Sequence, residues 1–281
     1  MKKTDRTYLT TKDYLVSGET FDLVYCQNHE LLITSPTLEP KDLSRYYQSE
    51  NYISHTDSKK GIFEKLYQAV KKFTVSRKVA LIKKENKSEG KLLDIGAGTG
   101  GFLLSAKNNN WKVYGVEPND QARNLSSEKR VVLNKTLEEV SERDFDVITL
   151  WHVLEHLPNL EDDINLIHSK LKKEGTLIIA VPNFKSYDAY YYKKYWAAFD
   201  VPRHLWHFSK SGIKSLFEEK GFTLKKVKPM LFDSFYVSLL SEKYKTGKQN
   251  WIKAFWIGFR SNLHGFVKKE YSSHIYILKK N

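Results

Sequence analysis

The chain has 281 residues, a net charge of +13 and one cysteine, Cys26, so no intramolecular disulfide can form. It shows no run of about 18 apolar residues and no apolar stretch behind its basic start, so we expect a cytoplasmic protein with neither a spanning helix nor a signal peptide. Residues 203–281 contain 16 basic and 5 acidic residues, a charge that suits RNA, a phosphorylated ligand or an anionic membrane without identifying one of them.

Residues 1–60 differ from the rest of the chain in their many loops, short extended pieces and the aromatic cluster YYQSENYISH at 46–55. We expect them to form a small accessory module packed against a main domain of residues 61–281. A long amphipathic helix is predicted for 62–84, where the chain enters the main domain.

Short apolar runs alternate with helical patterns from Lys91 onward, which is typical of βαβ units. Strands are predicted at 91–95, 112–117, 131–133, 145–150, 175–181, 223–228 and 274–278. These runs indicate an α/β protein with a doubly wound, mostly parallel, seven-stranded sheet covered by helices on both faces. Helical insertions that act as a lid are expected at about 184–210 and 232–270.

A glycine-rich turn, LLDIGAGTGGFL, follows the first of these strands. Gly96, Gly98 and Gly101 match the G-x-G-x-x-G of dinucleotide-binding turns. Gly96, Gly98 and Gly100 also match the tighter G-x-G-x-G of turns that hold S-adenosylmethionine. Glu117, at the end of the second strand, suits either cofactor because a carboxylate accepts hydrogen bonds from a ribose diol.

Asp94 discriminates between the two cofactors, because it lies two residues before the first glycine. A carboxylate is unfavourable beside the pyrophosphate of a dinucleotide but favourable beside the sulfonium and ammonium groups of S-adenosylmethionine. The sequence therefore favours methyl transfer over hydride transfer.

Four segments in this order, LLDIGAGTGGFL, VYGVEPND, FDVITLWHVLEHL and EGTLIIAVPN, resemble the successive motifs of class I S-adenosylmethionine-dependent methyltransferases. VLEHL and DVPRHLWHFS at 200–209 resemble the branch that contains ubiquinone-pathway O-methyltransferases and sugar methyltransferases. The resemblance covers about 91–220. It implies a Rossmann-like methyltransferase fold, S-adenosylmethionine as the methyl donor and S-adenosylhomocysteine as the product.

The resemblance also implies a role for each residue around the turn. Asp94 is expected to hold the methionine amino group and Glu117 both ribose hydroxyls, while the glycines let the backbone approach the cofactor where a Cβ would collide. The expected cofactor-binding residues are Asp94, Gly96, Ala97, Gly98, Gly100, Glu117, Pro118, Thr136, Leu137 and Leu150.

His152-Val-Leu-Glu155-His156 also matches the H-x-x-E-H of a zinc peptidase family. We reject hydrolysis because no third ligand motif is evident and the segment follows the fourth strand, where the methyltransferase pocket opens. In ubiquinone-type relatives this segment can hold a divalent cation, but His152 replaces an oxygen ligand here, so we expect no metal. His152 is expected to face the transferred methyl group, and His156 to contact the acceptor or support the pocket wall.

Asp200, Arg203, His204 and His207 recur at helical spacing in DVPRHLWHFS, although the proline makes a loop equally compatible. An oxygen or nitrogen acceptor has to lose a proton, and histidine is the usual base near neutral pH; the candidates are His152, His204 and His207. We favour His204 as the base or acceptor-orienting group. Arg203 is expected to bind an anionic group of the acceptor or to form an internal ion pair with Asp200.

The N-terminal region supplies two further expectations. His207 is expected to contact the acceptor, and Tyr47, Tyr52 and His55 are expected to close the acceptor pocket from the side opposite the 200–209 segment. Cys26-Gln-Asn-His29 lies in the region that carries paired C-x-x-C zinc ligands in sugar methyltransferases. With one cysteine left, we expect a degenerate knuckle without metal.

Residues 251–269 predict a helix with an apolar stripe formed by Ile252, Phe255, Trp256, Phe259, Leu263 and Phe266. Such a stripe is most typical of protein core or of a homodimer contact. Because the helix is basic and contains Trp, a peripheral membrane or lipid contact is the alternative.

The sequence therefore indicates a methyltransferase that acts, at oxygen, on a small molecule such as a sugar, a quinone or a lipid-like precursor. The alternatives are an RNA methyltransferase, a non-catalytic S-adenosylmethionine-binding protein and a nicotinamide oxidoreductase. We see no interleaved basic and aromatic RNA-binding module, and therefore expect no nucleic-acid partner.

Overall fold

The computed structural model describes residues 1–47 and 62–281. Its strands are β1 (Lys3–Lys12), β2 (Thr20–Cys26), β3 (Leu31–Ser35), β4 (Lys91–Ile95), β5 (Lys112–Val116), β6 (Phe145–Trp151), β7 (Leu171–Pro182), β8 (Trp206–Phe208), β9 (Phe222–Pro229) and β10 (Ser273–Lys280). Its helices are α1 (Pro40–Leu43), α2 (Ile62–Asn86), α3 (Gly101–Lys107), α4 (Asp120–Glu128), α5 (Leu160–Lys170), α6 (Tyr187–Tyr192), α7 (Lys210–Glu219), α8 (Asp233–Thr246) and α9 (Trp251–Lys268). None of the helices described is both long and apolar enough to cross a membrane.

Six strands form the main sheet in the order β5-β4-β6-β7-β10-β9. β4 to β7 are parallel, whereas β10 runs antiparallel to both β7 and β9. The middle strands are buried on both faces, as their continuous apolar runs predict. Because the carboxyl ends of parallel strands meet at one edge of a sheet, the ends of β4, β5 and β6 lie side by side there.

The predicted third strand at 131–133 is wrong, and a single parallel bridge between Val116 and Asn134 stands in its place. Val131 and Leu133 are nevertheless buried, which explains their apolar pattern. The two backbone amides after Asn134 donate to the Glu139 carboxylate, and this local turn ends the strand before a ladder forms. The sheet therefore has six strands in the part of the chain that is described, where seven were expected.

A second, antiparallel sheet combines β1, β2 and β3 with β8, which follows β7 in sequence. The helical alternative for DVPRHLWHFS is wrong, because 206–208 is a strand and 201–203 is a turn with a cis peptide bond at Val201–Pro202. The Thr34 amide, on β3, donates to the Leu205 carbonyl at 3.0 Å. The first 35 residues thus lie against the segment that carries Arg203 and His204.

α9 packs against α8 and α6, and its buried residues are mostly small: Ala254, Ile257, Gly258, Ser261 and Gly265. The apolar stripe predicted for this helix lies on the other side and is exposed, from 40% at Phe259 to 76% at Ile252. A Cβ on Gly258 would lie 2.8 Å from Cδ1 of Phe235, so the close approach of the helices requires the small residues. The interpretation of the stripe as core of this chain is therefore wrong.

Candidate functional site

The glycine turn joins the carboxyl end of β4 to α3. Gly96, Gly98 and Gly100 have φ angles of 73°, 53° and 71°, a left-handed conformation that glycine adopts at little cost. The amides of Gly96 and Ala97 both donate to the Val116 carbonyl, at 2.8 and 2.9 Å. These two hydrogen bonds hold the turn against the end of β5.

The space around the three glycines differs. A Cβ on Gly96 would lie 2.3 Å from Val153, and a Cβ on Gly100 would lie 2.3 Å from Ser126. The protein's own side chains therefore account for glycine at these two positions. A Cβ on Gly98 would have no atom within 4 Å, so the open face of the turn, where a bound molecule can approach the backbone, lies at Gly98.

Asp94, which the sequence predicts to hold a cationic group, is buried near the end of β4. The Thr149 hydroxyl donates to its Oδ1 at 2.6 Å. Desolvation raises the pKa of Asp94 to about 7, against the opposing effects of the Thr149 hydrogen bond and the Lys78 ammonium. An ionised Asp94 is costly in the free protein, so it gains strongly from a cation bound beside it.

Glu117 directly follows β5 and links the glycine turn to the segment that precedes α4. Its carboxylate accepts from the backbone amides of Gly98 at 2.8 Å and Asn119 at 2.9 Å. Both oxygens keep further lone pairs beside the open face at Gly98. The position and the free acceptor capacity suit a ribose diol.

The other predicted cofactor residues fall into two environments. Ala97 is half-buried, whereas Pro118 and Thr136 are exposed. Leu137 and Leu150 belong to the main hydrophobic core, where Leu150 is 0% exposed. The Leu150 side chain is therefore a core group, and the predicted cofactor contact at this position is restricted to its backbone.

His152 directly follows β6, with a φ angle of 58°. Its Nε2 lies 3.1 Å from Oδ2 of Asp233, and its Nδ1 lies 3.5 Å from Oε1 of Glu155. Burial by itself lowers the pKa of His152, but the two carboxylates outweigh it and raise the pKa to about 10. At neutral pH His152 is therefore a cation, so in this arrangement it is not available as the base.

Glu155, His156 and His204 form a compact group, in which one possible ligand atom of each lies within 4.8 Å of the others. Glu155 is 1% exposed, and neither carboxylate oxygen has a hydrogen-bond partner among the described residues. Burial raises the pKa of Glu155, but His152, His204 and His156 together lower it below its usual value. Glu155 therefore remains ionised.

Hydrogen bonds decide which nitrogen of each imidazole is free. Nδ1 of His156 lies 2.9 Å from the Arg203 carbonyl, and Nδ1 of His204 lies 2.9 Å from the Ala198 carbonyl. A carbonyl only accepts, so each Nδ1 donates a proton, and in the neutral rings Nε2 keeps the lone pair. Burial and the neighbouring His204 lower the pKa of His156 to about 4, so that its ring is neutral.

This group has two possible chemical uses. Two imidazole nitrogens and one carboxylate oxygen are suitable ligands for a divalent transition metal, whereas accepting a proton needs one free Nε2. The protonated His152 lies 3.5 Å from Glu155 but is also paired with Asp233 at 3.1 Å, so these three groups keep one net negative charge beside His204. This charge can stabilise a proton on His204 or a bound cation.

Arg203 forms the internal ion pair that the sequence left as one of two alternatives. Its side chain is 1% exposed and lies 2.6 Å from Oδ1 of Asp200 and 2.9 Å from Oδ1 of Asp13. It also donates to the Tyr46 carbonyl at 3.2 Å. The guanidinium is thus occupied by protein groups that join the turn after β1 to the segment before β8, and it does not face an acceptor site.

The predicted acceptor-side residues are only partly brought together. The Tyr47 hydroxyl lies 3.1 Å from Nδ1 of His156 and so joins the group around Glu155. His207 is instead a core residue of β8, where its Nε2 lies 3.0 Å from a threonine hydroxyl of β3 and burial lowers its pKa well below the usual value. Tyr52 and His55 lie outside the described residues.

Cys26 and His29, the residues of the expected degenerate knuckle, do not belong to the group of Glu155, His156 and His204. Cys26 is a buried free cysteine. His29 contacts α7, with its Nδ1 2.9 Å from Oγ of Ser215 and its Nε2 3.6 Å from Glu219. Within residues 1–47 and 62–281 they do not take part in a metal-ligand cluster.

Sequence reasoning missed three residues beside the site: Thr149, Lys78 and Asp233. Thr149 is a polar residue within the buried run FDVITL, a signal that was available in the sequence. The Lys78 ammonium lies 4.4 Å from the Trp151 ring centroid; desolvation lowers the pKa of Lys78, and Asp94 and Asp233 partly offset this. Lys78 and Asp233 come from α2 and α8, whose positions over the sheet edge are not encoded in a local pattern.

The parallel strands, the left-handed glycine turn and the carboxylates at the ends of β4 and β5 define a Rossmann-like, cofactor-binding α/β protein. Residues 63–227 match a family described as methyltransferase domain, and the chain belongs to this family.

Individual relatives agree with this assignment. An uncharacterized methyltransferase of Alkaliphilus oremlandii is 29% identical over 109 residues, which are 36% of this chain and 50% of that protein. The match thus spans half the length of this curated relative.

Two solved structures share the fold. Magnesium protoporphyrin IX methyltransferase from Synechocystis, solved with bound SAH, aligns with a TM-score of 0.57 and 15% identity over 86% of this chain and 100% of that one. A SAM dependent methyltransferase from Archaeoglobus fulgidus aligns with a TM-score of 0.51 and 19% identity over 78% of this chain and 98% of that one. At these identities the likeness concerns the fold alone.

Proposed function

We propose that this chain transfers the methyl group of S-adenosylmethionine to an oxygen of a small-molecule acceptor, in the cytoplasm. The observation that carries the proposal is the left-handed glycine turn, open at Gly98 and flanked by the carboxylates of Asp94 and Glu117. Membership of the methyltransferase-domain family supports the same activity.

The residues of the turn fit the two ends of this cofactor. Buried Asp94 attracts the ammonium of the methionine part, while Glu117, next to the open face, accepts hydrogen bonds from the ribose hydroxyls. When bound, S-adenosylmethionine supplies an electrophilic methyl group on a positively charged sulfur. The pyrophosphate of a nicotinamide cofactor would instead meet the negative charge of Asp94.

The acceptor hydroxyl has to lose its proton as its oxygen bonds to the methyl carbon and the carbon–sulfur bond breaks. Nε2 of His204 takes this proton, because its Nδ1 already donates to the Ala198 carbonyl. Glu155 and Asp200, whose Oδ2 lies 4.0 Å from Nε2, stabilise the positive charge that results. His156, held by Tyr47 and a backbone carbonyl, forms the neighbouring wall.

The first test concerns the cofactor. Calorimetry with S-adenosylhomocysteine and with NADH, on the wild type and on Asp94→Ala, should show binding of the homocysteine compound alone, weakened at least ten-fold in the variant. Binding of NADH would make the chain a nicotinamide protein. Binding of neither compound would exclude the proposed activity.

The second test concerns the acceptor side. With labelled S-adenosylmethionine and a catechol, a deoxysugar nucleotide and transfer RNA as probes, we expect label on a small molecule and not on RNA. His204→Gln should lose this transfer while it binds S-adenosylhomocysteine like the wild type. Chelation should leave transfer unchanged; loss that Mn²⁺ or Zn²⁺ restores would assign the group around Glu155 to a metal. Cofactor binding without transfer to any of these probes, or to a long-chain catechol carried in vesicles, would favour the non-catalytic alternative.

A further inference from the structure

The solvent side of α9 is apolar where the outer side of a surface helix is normally polar. Its large apolar side chains are 40–76% exposed, and we call these residues the α9 face: Ile252, Phe255, Trp256, Phe259, Leu263, Phe266 and Val267. Their combined exposed area is roughly 900 Å², larger than the roughly 300–600 Å² of the largest apolar patch on a typical soluble monomer.

The packing of α9 keeps this face outside. On the opposite side of the helix, the Ser261 hydroxyl donates to Oδ1 of the buried Asp188 at 2.6 Å. A Cβ on Gly265 would lie 2.5 Å from the Tyr271 ring, as one on Gly258 would meet Phe235. The inner side is therefore shaped for close contact with the protein, and α9 cannot rotate to bury its large residues.

The charged residues of the segment that carries the α9 face are all basic. Residues 243–269 contain no Asp or Glu, and their basic residues are Lys243, Lys245, Lys248, Lys253, Arg260, Lys268 and Lys269. Of these, Lys253 pairs with the buried Glu242 at 3.4 Å, whereas Arg260, Lys268 and Lys269 are exposed at the helix surface. This arrangement suits an anionic lipid surface, because the apolar face can contact the acyl chains while the basic residues at its edges contact the acidic headgroups.

We infer that the α9 face docks on an anionic membrane surface, with α9 lying in the plane of the headgroups. A second copy of the chain is a poorer occupant, because a two-fold contact would bring the same basic helix against itself. A lipid surface neutralises that charge and buries the aromatic residues at the same time.

The α9 face is linked to the site described above through α8. Phe255 stacks on Phe235 of α8 with ring centroids 5.5 Å apart. Two residues earlier, Asp233 is the ion-pair partner of His152. Docking therefore brings the edge of the site close to the lipid surface, so the acceptor belongs to the class of membrane-partitioned, lipid-like molecules. This last step rests on the proposed methyl transfer, whereas the docking itself does not.

The test uses co-sedimentation of the whole chain with phosphatidylcholine vesicles, with and without phosphatidylglycerol. The wild type should bind the anionic vesicles and bind neutral ones at least ten-fold more weakly. Ile252→Gln/Phe266→Gln/Val267→Gln, which changes the three most exposed members of the face, should weaken binding at least ten-fold. Val132→Gln/Tyr190→Gln is the matched control, since these side chains are 81% and 74% exposed outside the face, and it should bind like the wild type.

Three results would overturn the inference. The first is a wild type that does not sediment with anionic vesicles, and the second is a triple variant that binds them as the wild type does. The third is a lipid-free dimer, seen by sedimentation velocity, that the triple variant converts to a monomer; it would assign the α9 face to a second copy. Thermal melting checks that the triple variant is folded.

The outcome separates docking from catalysis. Vesicle binding without binding of S-adenosylhomocysteine would support the docking surface and reject the proposed function. S-adenosylhomocysteine binding that is equal in the wild type and the triple variant, together with lost vesicle binding, would show that the face is needed for docking and not for cofactor binding.

Discussion

Asp94 is a residue whose charge state decides what the glycine turn can hold. Its pKa in the folded chain, about 7, lies above the ordinary value of 3.8. Protonated Asp94 therefore stabilises the free protein at low pH, and this contribution is lost as the pH rises from about 4 through about 7. The ionised form that appears over the same range is the form that attracts an ammonium group.

The affinity of the wild type for S-adenosylhomocysteine should therefore increase between about pH 6 and about pH 8. Asp94→Asn should bind at least ten-fold more weakly, with little pH dependence over this range, because its amide does not ionise. Calorimetry at the two pH values measures both effects. A variant that kept the pH dependence of the wild type would show that another group controls the binding.

His152 is a second group whose pKa is set by its neighbours. Its pKa of about 10 depends on contacts with Asp233 and Glu155 that outweigh burial. Because the folded pKa lies above the ordinary value of 6.5, the ion pair stabilises the protein fully below about pH 6.5, and this stabilisation is lost as the pH rises through about 10.

Asp233→Asn should lower the pKa of His152 by removing the nearer carboxylate, at 3.1 Å. The change is measured by NMR titration of the imidazole protons. Asp120→Asn, which removes a carboxylate from the start of α4, is the control and should leave the titration of His152 unchanged. A His152 that titrates near its ordinary value in the wild type would contradict the ion pair.

At the scale of the element, α9 shows how packing selects small residues. Gly258→Ala should lower the free energy of unfolding by about 1–2 kcal/mol, because the new methyl group would press on Phe235, including its backbone. Gly101→Ala is the matched control, since a Cβ on this helical glycine has open space around it. Urea denaturation measures both variants. If Gly258→Ala were as stable as Gly101→Ala, α8 and α9 would not be in close contact.

The wrong strand at 131–133 and the wrong interpretation of the α9 stripe as core share a physical cause. The apolar pattern at 131–133 correctly indicates that these side chains are buried, but a buried segment need not pair as a β-strand. Hydrogen bonds to the Glu139 carboxylate turn the chain before a strand ladder can form. In α9 the large apolar residues were interpreted as the buried side of the helix, whereas the side that packs on the protein is formed mostly by small residues. Periodicity locates apolar side chains, and it does not tell which surface covers them.

At the scale of the whole molecule, the order of motifs predicted the parallel sheet and the position of the glycine turn, because a βαβ unit is encoded locally. The pairing of β3 with β8 was not predictable in this way, since Ile33 and Trp206 are partners only in the folded chain. The group of Glu155, His156 and His204 depends on that pairing. Glu155 and His156 belong to one sequence motif, whereas His204 lies in the segment before β8.

Arg203 joins these distant parts of the chain. Arg203→Met should lower the free energy of unfolding by about 3–5 kcal/mol, since it leaves Asp13 buried and Asp200 largely buried without their cation. Arg45→Met removes an exposed pair with Glu19 and should change stability by less than about 1 kcal/mol. Urea denaturation distinguishes a structural role of Arg203 from a role in binding the acceptor. If Arg203 bound the acceptor, its loss would raise KM and leave stability close to that of the wild type.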